Sequence, residues 1–125
     1  MIDGADISSD MLAEAGTKGI YRNLLTIDPA DPLPFQRGTY ANIAAVGVFS
    51  PGHAPPRTID AVMAKLGSGG RFVFSLNDHA LENPCWMGRV MEQIDCGAAI
   101  LEFREHGPHL PDLGLASSVC VLRRT

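Results

Sequence analysis

Apolar positions along the chain recur in short bursts separated by stretches dense in Gly, Pro and Asp, which is the pattern of buried strands alternating with short amphipathic helices. Residues 2–6 predict a strand that ends at Asp6 and turns straight into a helix. Ser8 or Ser9 caps that helix and Asp10 complements its positive end, while Met11, Leu12 and Ala15 mark a buried face and Gly16 or Gly19 ends it. Residues 21–27 read as a buried strand stopped by Asp28-Pro29 and Asp31-Pro32. Residues 33–38 hold too much Pro and Gly for a helix and form a loop into residues 40–49, read as a central strand. After a rigid loop over residues 50–56, Pro56 opens a helix whose Ile59, Val62, Met63 and Leu66 follow the i, i+3, i+4, i+7 spacing.

Residues 67–70 end that helix and release a buried strand over residues 71–76, followed by the polar loop Asn77-Asp78-His79. Pro84 starts a further helix striped with Met87, Val90, Met91 and Ile94, with Trp86 beside the stripe and Gly97 as the stop. Residues 98–104 predict a strand, residues 105–114 a turn-rich segment holding Pro108 and Pro111, and residues 117–122 the last strand. The order β-α-β-β-α-β-α-β-β favours an α/β fold, a mostly parallel sheet with helices on both faces and an antiparallel hairpin at the end. Residues 28–39 join two strands without a helix, so these strands are not expected to be parallel neighbours.

Composition narrows the function. A chain of 125 residues fits one domain with one modest core. Its 14 acids against 10 bases, net charge -4, are scattered, so no basic stripe tracks a phosphate backbone and nucleic acid is not an expected partner. Arg123-Arg124 reads as a solvated strand end. Cys85, Cys96 and Cys120 are odd in number and lack CxxC spacing, which suggests buried thiols of a cytoplasmic protein rather than disulfides or a zinc knuckle. The longest apolar runs, such as residues 43–49, are too short to span a bilayer, and no membrane association is expected. His106 and His109 flank Pro108 with Cys96 and Asp112 nearby in sequence, but the spacing is not that of a zinc site and no metal is predicted. The glycines of residues 67–70 follow a helix and precede a strand, the reverse of a phosphate-binding turn.

Two kinds of residue carry candidate chemistry. Asp6, at the carboxyl end of a strand, offers only acceptors, which suits a pair of ribose hydroxyls, although Asp before Ser-Ser also serves as a plain helix cap. His53, Asn77 and His79 follow two strands at the end of the sheet where open α/β folds bind ligands, and either histidine is a candidate catalytic base or an ordinary surface residue. Only five residues precede Asp6, so the glycine-rich turn that completes a nucleoside site is not upstream of it in this chain.

Four stretches, taken in order, resemble the class I S-adenosylmethionine-dependent methyltransferases: residues 4–12 the second strand and helix start, Asp28 the acid after the third strand, Pro32-Leu33-Pro34-Phe35 the approach to the fourth strand, and residues 66–72 the L-x-P-G-G approach to the fifth. Gly47-Val48-Phe49-Ser50-Pro51-Gly52-His53 further resembles the Williams-Beuren syndrome-associated methyltransferase-like branch. The resemblance implies a Rossmann-like sheet over residues 1–125, a partial methyltransferase domain running from the second strand to the last and lacking the first strand and its glycine-rich loop. It implies S-adenosyl-L-methionine as cofactor, with Asp6 on the ribose, Ile7 and Ile27 as apolar walls, Asp28 at the adenine, and Val46 and Gly47 at the methionine end. His53 and His79 then face a methyl acceptor, expected to be a small molecule.

The sequence departs from the family pattern where Ala41 and Asn42 follow Tyr40 and where Pro51 stands in the following loop. In the family the absent first strand lies between strands two and four, so the sheet is expected to be split. The chain is then expected to be weakly active or inactive, prone to self-association through exposed edges, or completed by another piece. A late start in a longer reading frame is preferred over a decayed gene or a split enzyme. The competing functions are a non-catalytic relic that binds a partner by strand addition and a small domain that binds another nucleotide through Asp6.

Overall fold

Residues 1–28, 30–110 and 114–125 are described by a computed structural model, without the side chains of residues 109 and 110. Pro29, Pro111, Asp112 and the side chain of His109 lie outside the described residues. The chain divides into two compact units, Met1–Pro34 and Phe35–Thr125.

The first unit is a single strand-helix-strand turn: β1 (Ile2–Asp6), α1 (Ser9–Gly16) and β2 (Tyr21–Thr26). β1 and β2 pair in parallel, Ile2 opposite Tyr21 and Asp6 opposite Thr26. Arg22 closes a two-pronged bond onto Asp3 across the pair, 2.9 Å to Oδ1 and 2.7 Å to Oδ2. Gly4 lets the strand and the ring of Tyr21 approach, since a Cβ there would meet Tyr21 Cδ1 and Leu24 Cδ2 at 3.0 Å. Ser8 is the N-cap of α1, its side chain accepting from the Met11 amide at 3.3 Å. The expected buried face of α1 is not realised. Met11 is 57% exposed, Leu12 and Ala15 are half-buried, and β2 is likewise half-open rather than buried, because one helix over two strands covers only part of them.

The second unit carries β3 (Asn42–Phe49), α2 (Arg57–Lys65), β4 (Arg71–Asn77), α3 (Asp78–Glu82), α4 (Pro84–Asp95), β5 (Ala99–Leu110) and β6 (Leu115–Arg124) in a four-stranded sheet of order β3-β4-β6-β5. β3 and β4 are parallel, and β6 is antiparallel to both of its neighbours, so β6 is the one reversed strand of this sheet. The mostly parallel α/β architecture with a terminal antiparallel hairpin is thereby realised, without closure of the sheet.

Three local expectations are corrected. Residues 42–49 form an edge of this sheet rather than its centre. The segment after β4 is helical: Asn77 Oδ1 accepts from the Ala80 amide at 2.9 Å and caps the short α3. Residues 105–110 continue β5 instead of turning, Pro108 lying opposite Ala116, because an edge strand spends only half of its N–H groups on its partner.

The core of the second unit collects Phe72, Phe74 and Leu76 from one face of β4, Cys120 and Leu122 from β6, Ile59, Val62 and Met63 from α2, and Trp86 and Val90 from α4. Phe72 stacks on Phe74 at 4.6 Å between ring centres, and Phe49 meets both rings edge-on at 6.1 and 5.9 Å. Trp86 Nε1 donates to the Ala54 carbonyl at 3.3 Å, which seats α4 against the loop before α2. The other face of the sheet stays partly open, with Ile100, Phe103 and Val119 all more than a third exposed. Arg123 and Arg124 are half-buried rather than freely solvated: Arg123 donates to Glu102 Oε1 at 2.7 Å and Arg124 to the Met63 carbonyl at 3.2 Å. Cys85 and Cys96 are exposed and only Cys120 is buried, where burial pushes its thiol up. Among the described residues no helix is long and apolar enough to cross a membrane.

Candidate functional site

In the second unit, β3 and β4 run side by side and both end at a cleft of about 460 Å³ lined by Ser50, Pro51, His53, Asn77, His79 and Glu82. Each side chain arrives by a different local device. β3 leaves the sheet at Ser50, and the following turn, closed by the His53 amide on the Ser50 carbonyl at 3.0 Å, brings His53 to the rim. β4 passes directly into α3, whose single turn presents His79 and Glu82 together three residues apart. The two histidines singled out from the sequence therefore line one cleft, at the carboxyl ends of parallel strands. Both are exposed.

The helix carrying His79 and Glu82 is fixed from behind. Asp78, its first residue, accepts from His106 Nε2 at 2.9 Å through Oδ1 and from the Ala116 amide at 3.2 Å through Oδ2, tying α3 to both strands of the β5–β6 hairpin. An ionised carboxylate only accepts, so Nε2 carries the proton of that imidazole. The His106 bond holds the Asp78 carboxyl below its ordinary range, with the Ala116 amide acting in the same direction. His106 is thus engaged with Asp78, and among the described residues no cluster suited to a metal ion occurs. Neither Asp78 nor Glu82 was singled out from the sequence. The signal was present, since Asn77-Asp78 followed by Ala80 is an N-cap with an acid in the first turn.

The end of β3 is irregular. Between Ala45 and Phe49 the register against β4 slips, so that Ala45 faces Phe74 while Phe49 faces Leu76. Gly47 takes up the slack at φ +72°, and its amide, diverted from the ladder, donates to the buried Ser75 Oγ at 2.9 Å. Val46 is left 64% exposed and Val48 39% exposed beside it. A Cβ at Gly47 would meet nothing within 4 Å, so the space over this bulge is open.

In the first unit, Asp6 closes β1 half-buried, its Oδ1 accepting from the Ser8 amide at 2.9 Å while its carbonyl accepts from the Ile27 amide at 3.0 Å. The helix-capping role weighed for Asp6 falls to Ser8 instead, and Asp6 Oδ1 is taken up by the turn before α1. Ile7 follows, 60% exposed. Asp28 is exposed beyond β2 and its Oδ1 accepts from the Ala30 amide at 2.9 Å, the turn geometry of an Asp-Pro sequence. A larger depression of about 540 Å³, between the starts of α2 and α4 and reaching Arg57, Cys85, Arg89 and Glu92, contains none of these residues.

No family model matches the sequence, and no curated protein matches it. Solved structures do match in fold. The chain is similar to the N-methyltransferase NodS of Bradyrhizobium japonicum WM9, with 15% identity and a TM-score of 0.68 over 98% of this chain and 72% of that one. It is similar to the magnesium protoporphyrin IX methyltransferase ChlM of Synechocystis PCC 6803, solved with bound SAM, with 15% identity and a TM-score of 0.70 over 100% of this chain and 60% of that one. It is also similar to the [4+2]-cyclase SpnF, with 12% identity and a TM-score of 0.68 over 99% of this chain and 66% of that one. At these identities the likeness is one of fold, and one of the three names a cyclisation rather than methyl transfer. The chain has the class I methyltransferase fold.

Proposed function

We propose that this chain binds S-adenosyl-L-methionine and transfers its methyl group to a small-molecule acceptor. The observation that carries the reading is the meeting of His53 and His79 in one cleft at the carboxyl ends of β3 and β4, within a unit of methyltransferase fold. The residues present fit the cofactor in chemistry. Asp6 Oδ1 serves the Ser8 amide and leaves Oδ2 for sugar hydroxyls, each such bond to an ionised acceptor contributing about 1.5–3 kcal/mol. Ile7 offers an exposed apolar side chain next to it, and Asp28 a carboxylate at the end of β2 for the adenine. In the second unit, taken by itself, Val46 is exposed and the space over Gly47 is open.

When bound, the cofactor supplies a methyl group already activated by a positive sulfur. What remains for the protein is alignment and the removal of a proton from the acceptor, and His53 or His79 takes that proton. The same proposal includes a relationship to the Williams-Beuren-associated branch through residues 47–53 and a cytoplasmic location.

Titration with S-adenosylhomocysteine by calorimetry tests the reading. Saturable binding that weakens about ten-fold or more in Asp6→Ala is expected, since the lost bonds are charge-assisted. Absence of saturable binding, or an Asp6→Ala variant that binds as well as the parent, counts against it. A second reading, a non-catalytic chain completed by strands supplied from elsewhere or by its own copies, is favoured by one observation: β1 and β3 each pair on one side only among the described residues. Under that reading the titration is flat, and light scattering shows concentration-dependent association.

A further inference from the structure

We propose that the cleft at the ends of β3 and β4 selects an amine as its acceptor, with Glu82 as the group that recognises the ammonium form. The inference rests on the reading of this cleft as the acceptor side and deepens it. Among the described residues its lining contains one carboxylate, that of Glu82, together with two imidazoles, a hydroxyl, an amide and a proline, and neither Lys nor Arg. A carboxylate or phosphate acceptor would meet the acid of Glu82 with no cation to offset it, whereas an ammonium meets an opposite charge and several acceptors. A volume of about 460 Å³ lies within the range of small-molecule sites.

The placement of the three side chains suits the chemistry. Glu82 and His79 stand on the one turn of α3, and that turn is held by its Asn77 cap and by the Asp78 bonds to His106 and Ala116. Recognition and proton removal are therefore carried by one element with a fixed position, and His53 comes from the turn after β3. An ammonium that docks on Glu82 gives up one proton to an imidazole. The freed nitrogen lone pair then forms the new N–C bond to the methyl carbon, while the S–C bond of the sulfonium donor breaks and its electron pair returns to sulfur, leaving a neutral thioether. Protons and charge balance without any further reactant.

The test uses the whole chain labelled with ¹⁵N and titrated separately with benzylamine and benzoate, followed by amide and imidazole resonances. Benzylamine is expected to shift resonances at Ser50, His53, Asn77, His79 and Glu82, and to bind more tightly than benzoate. Glu82→Gln, an exposed position that leaves the core untouched, is expected to weaken benzylamine about two- to five-fold, the scale of an exposed ion pair, and to leave benzoate unchanged. Equal or tighter binding of benzoate overturns the proposal, as do benzylamine shifts that map elsewhere or an unaltered Glu82→Gln titration. S-adenosylhomocysteine titrated into the same sample reports at Asp6 and Ile7. Its failure with the benzylamine response intact overturns nucleoside binding alone, and the converse overturns the amine cleft alone.

Discussion

The bulge at the end of β3 makes a quantitative prediction about how this strand is held. Gly47→Ala places a Cβ in open space, so its cost is backbone strain at φ +72°, about 1–2 kcal/mol. Ser75→Ala removes the acceptor of the Gly47 amide. A hydrogen bond of this kind contributes about 0.5–1.5 kcal/mol net, and the lower half of that range applies because Gly47 is exposed and its amide can turn to water. Without the Ser75 acceptor the bulge is free to relax the strain at position 47, so the double variant is expected to lose less than the sum of the singles. Urea unfolding followed by the fluorescence of Trp86 reports the loss, because this is the only tryptophan and it is 5% exposed in the core of the same unit. Each kcal/mol corresponds to about 4–8 °C in Tm for a unit of this size. A Gly47→Ala chain as stable as the parent would show that the bulge is not held at positive φ. Strict additivity in the double variant would show that the Ser75 bond does not hold position 47 at positive φ.

Truncating Phe74, fully buried and stacked on Phe72, is expected to cost about 3–5 kcal/mol, enough to unfold much of the population, as read by the same Trp86 signal. Gly4→Ala is expected to loosen the first unit by about 1–3 kcal/mol, because its Cβ would sit 3.0 Å from Leu24 and Tyr21; hydrogen exchange of β1 and β2 amides would quicken, and unchanged exchange would contradict the packing described. Acid should also weaken the fold in a defined direction. Asp78, foremost through His106, and Glu102, foremost through Arg71 and then Arg123, are held below their ordinary values of 3.8 and 4.5. The folded chain therefore binds fewer protons than the unfolded one at those pH values. The stability these groups contribute is fully present above the ordinary carboxylate range and is lost as pH falls through the lowered values. Urea midpoints measured from neutral pH down to about pH 2 should fall accordingly, and Asp78→Asn should flatten part of that fall.

Much of this architecture was written in local signals. Ile59, Val62, Met63 and Leu66 carried a helical period with a proline at the start, and all four are buried in the core. Ser8, Gly16, Pro84 and Gly97 marked helix ends that the structure keeps. What could not be read locally depends on neighbours in the sheet. The run over residues 42–49 is apolar enough for a central strand, yet it lies at an edge, because its position is set by what pairs with it rather than by its own composition. Pro108 argued for a turn, and only the edge position of β5 makes it tolerable in a strand.

The candidate site divides along the same line. His53 and His79 were legible as loop residues after strands, but their meeting in one cleft follows from the parallel pairing of β3 and β4, which no single segment encodes. Asp78 looked like part of a polar loop, while its role depends on His106 and on the Ala116 amide, both far along the chain. The side chains of this cleft therefore have identities that are local and a geometry imposed by the sheet. That division explains why Glu82, unremarkable in sequence, becomes the one carboxylate among the described residues that line the cleft.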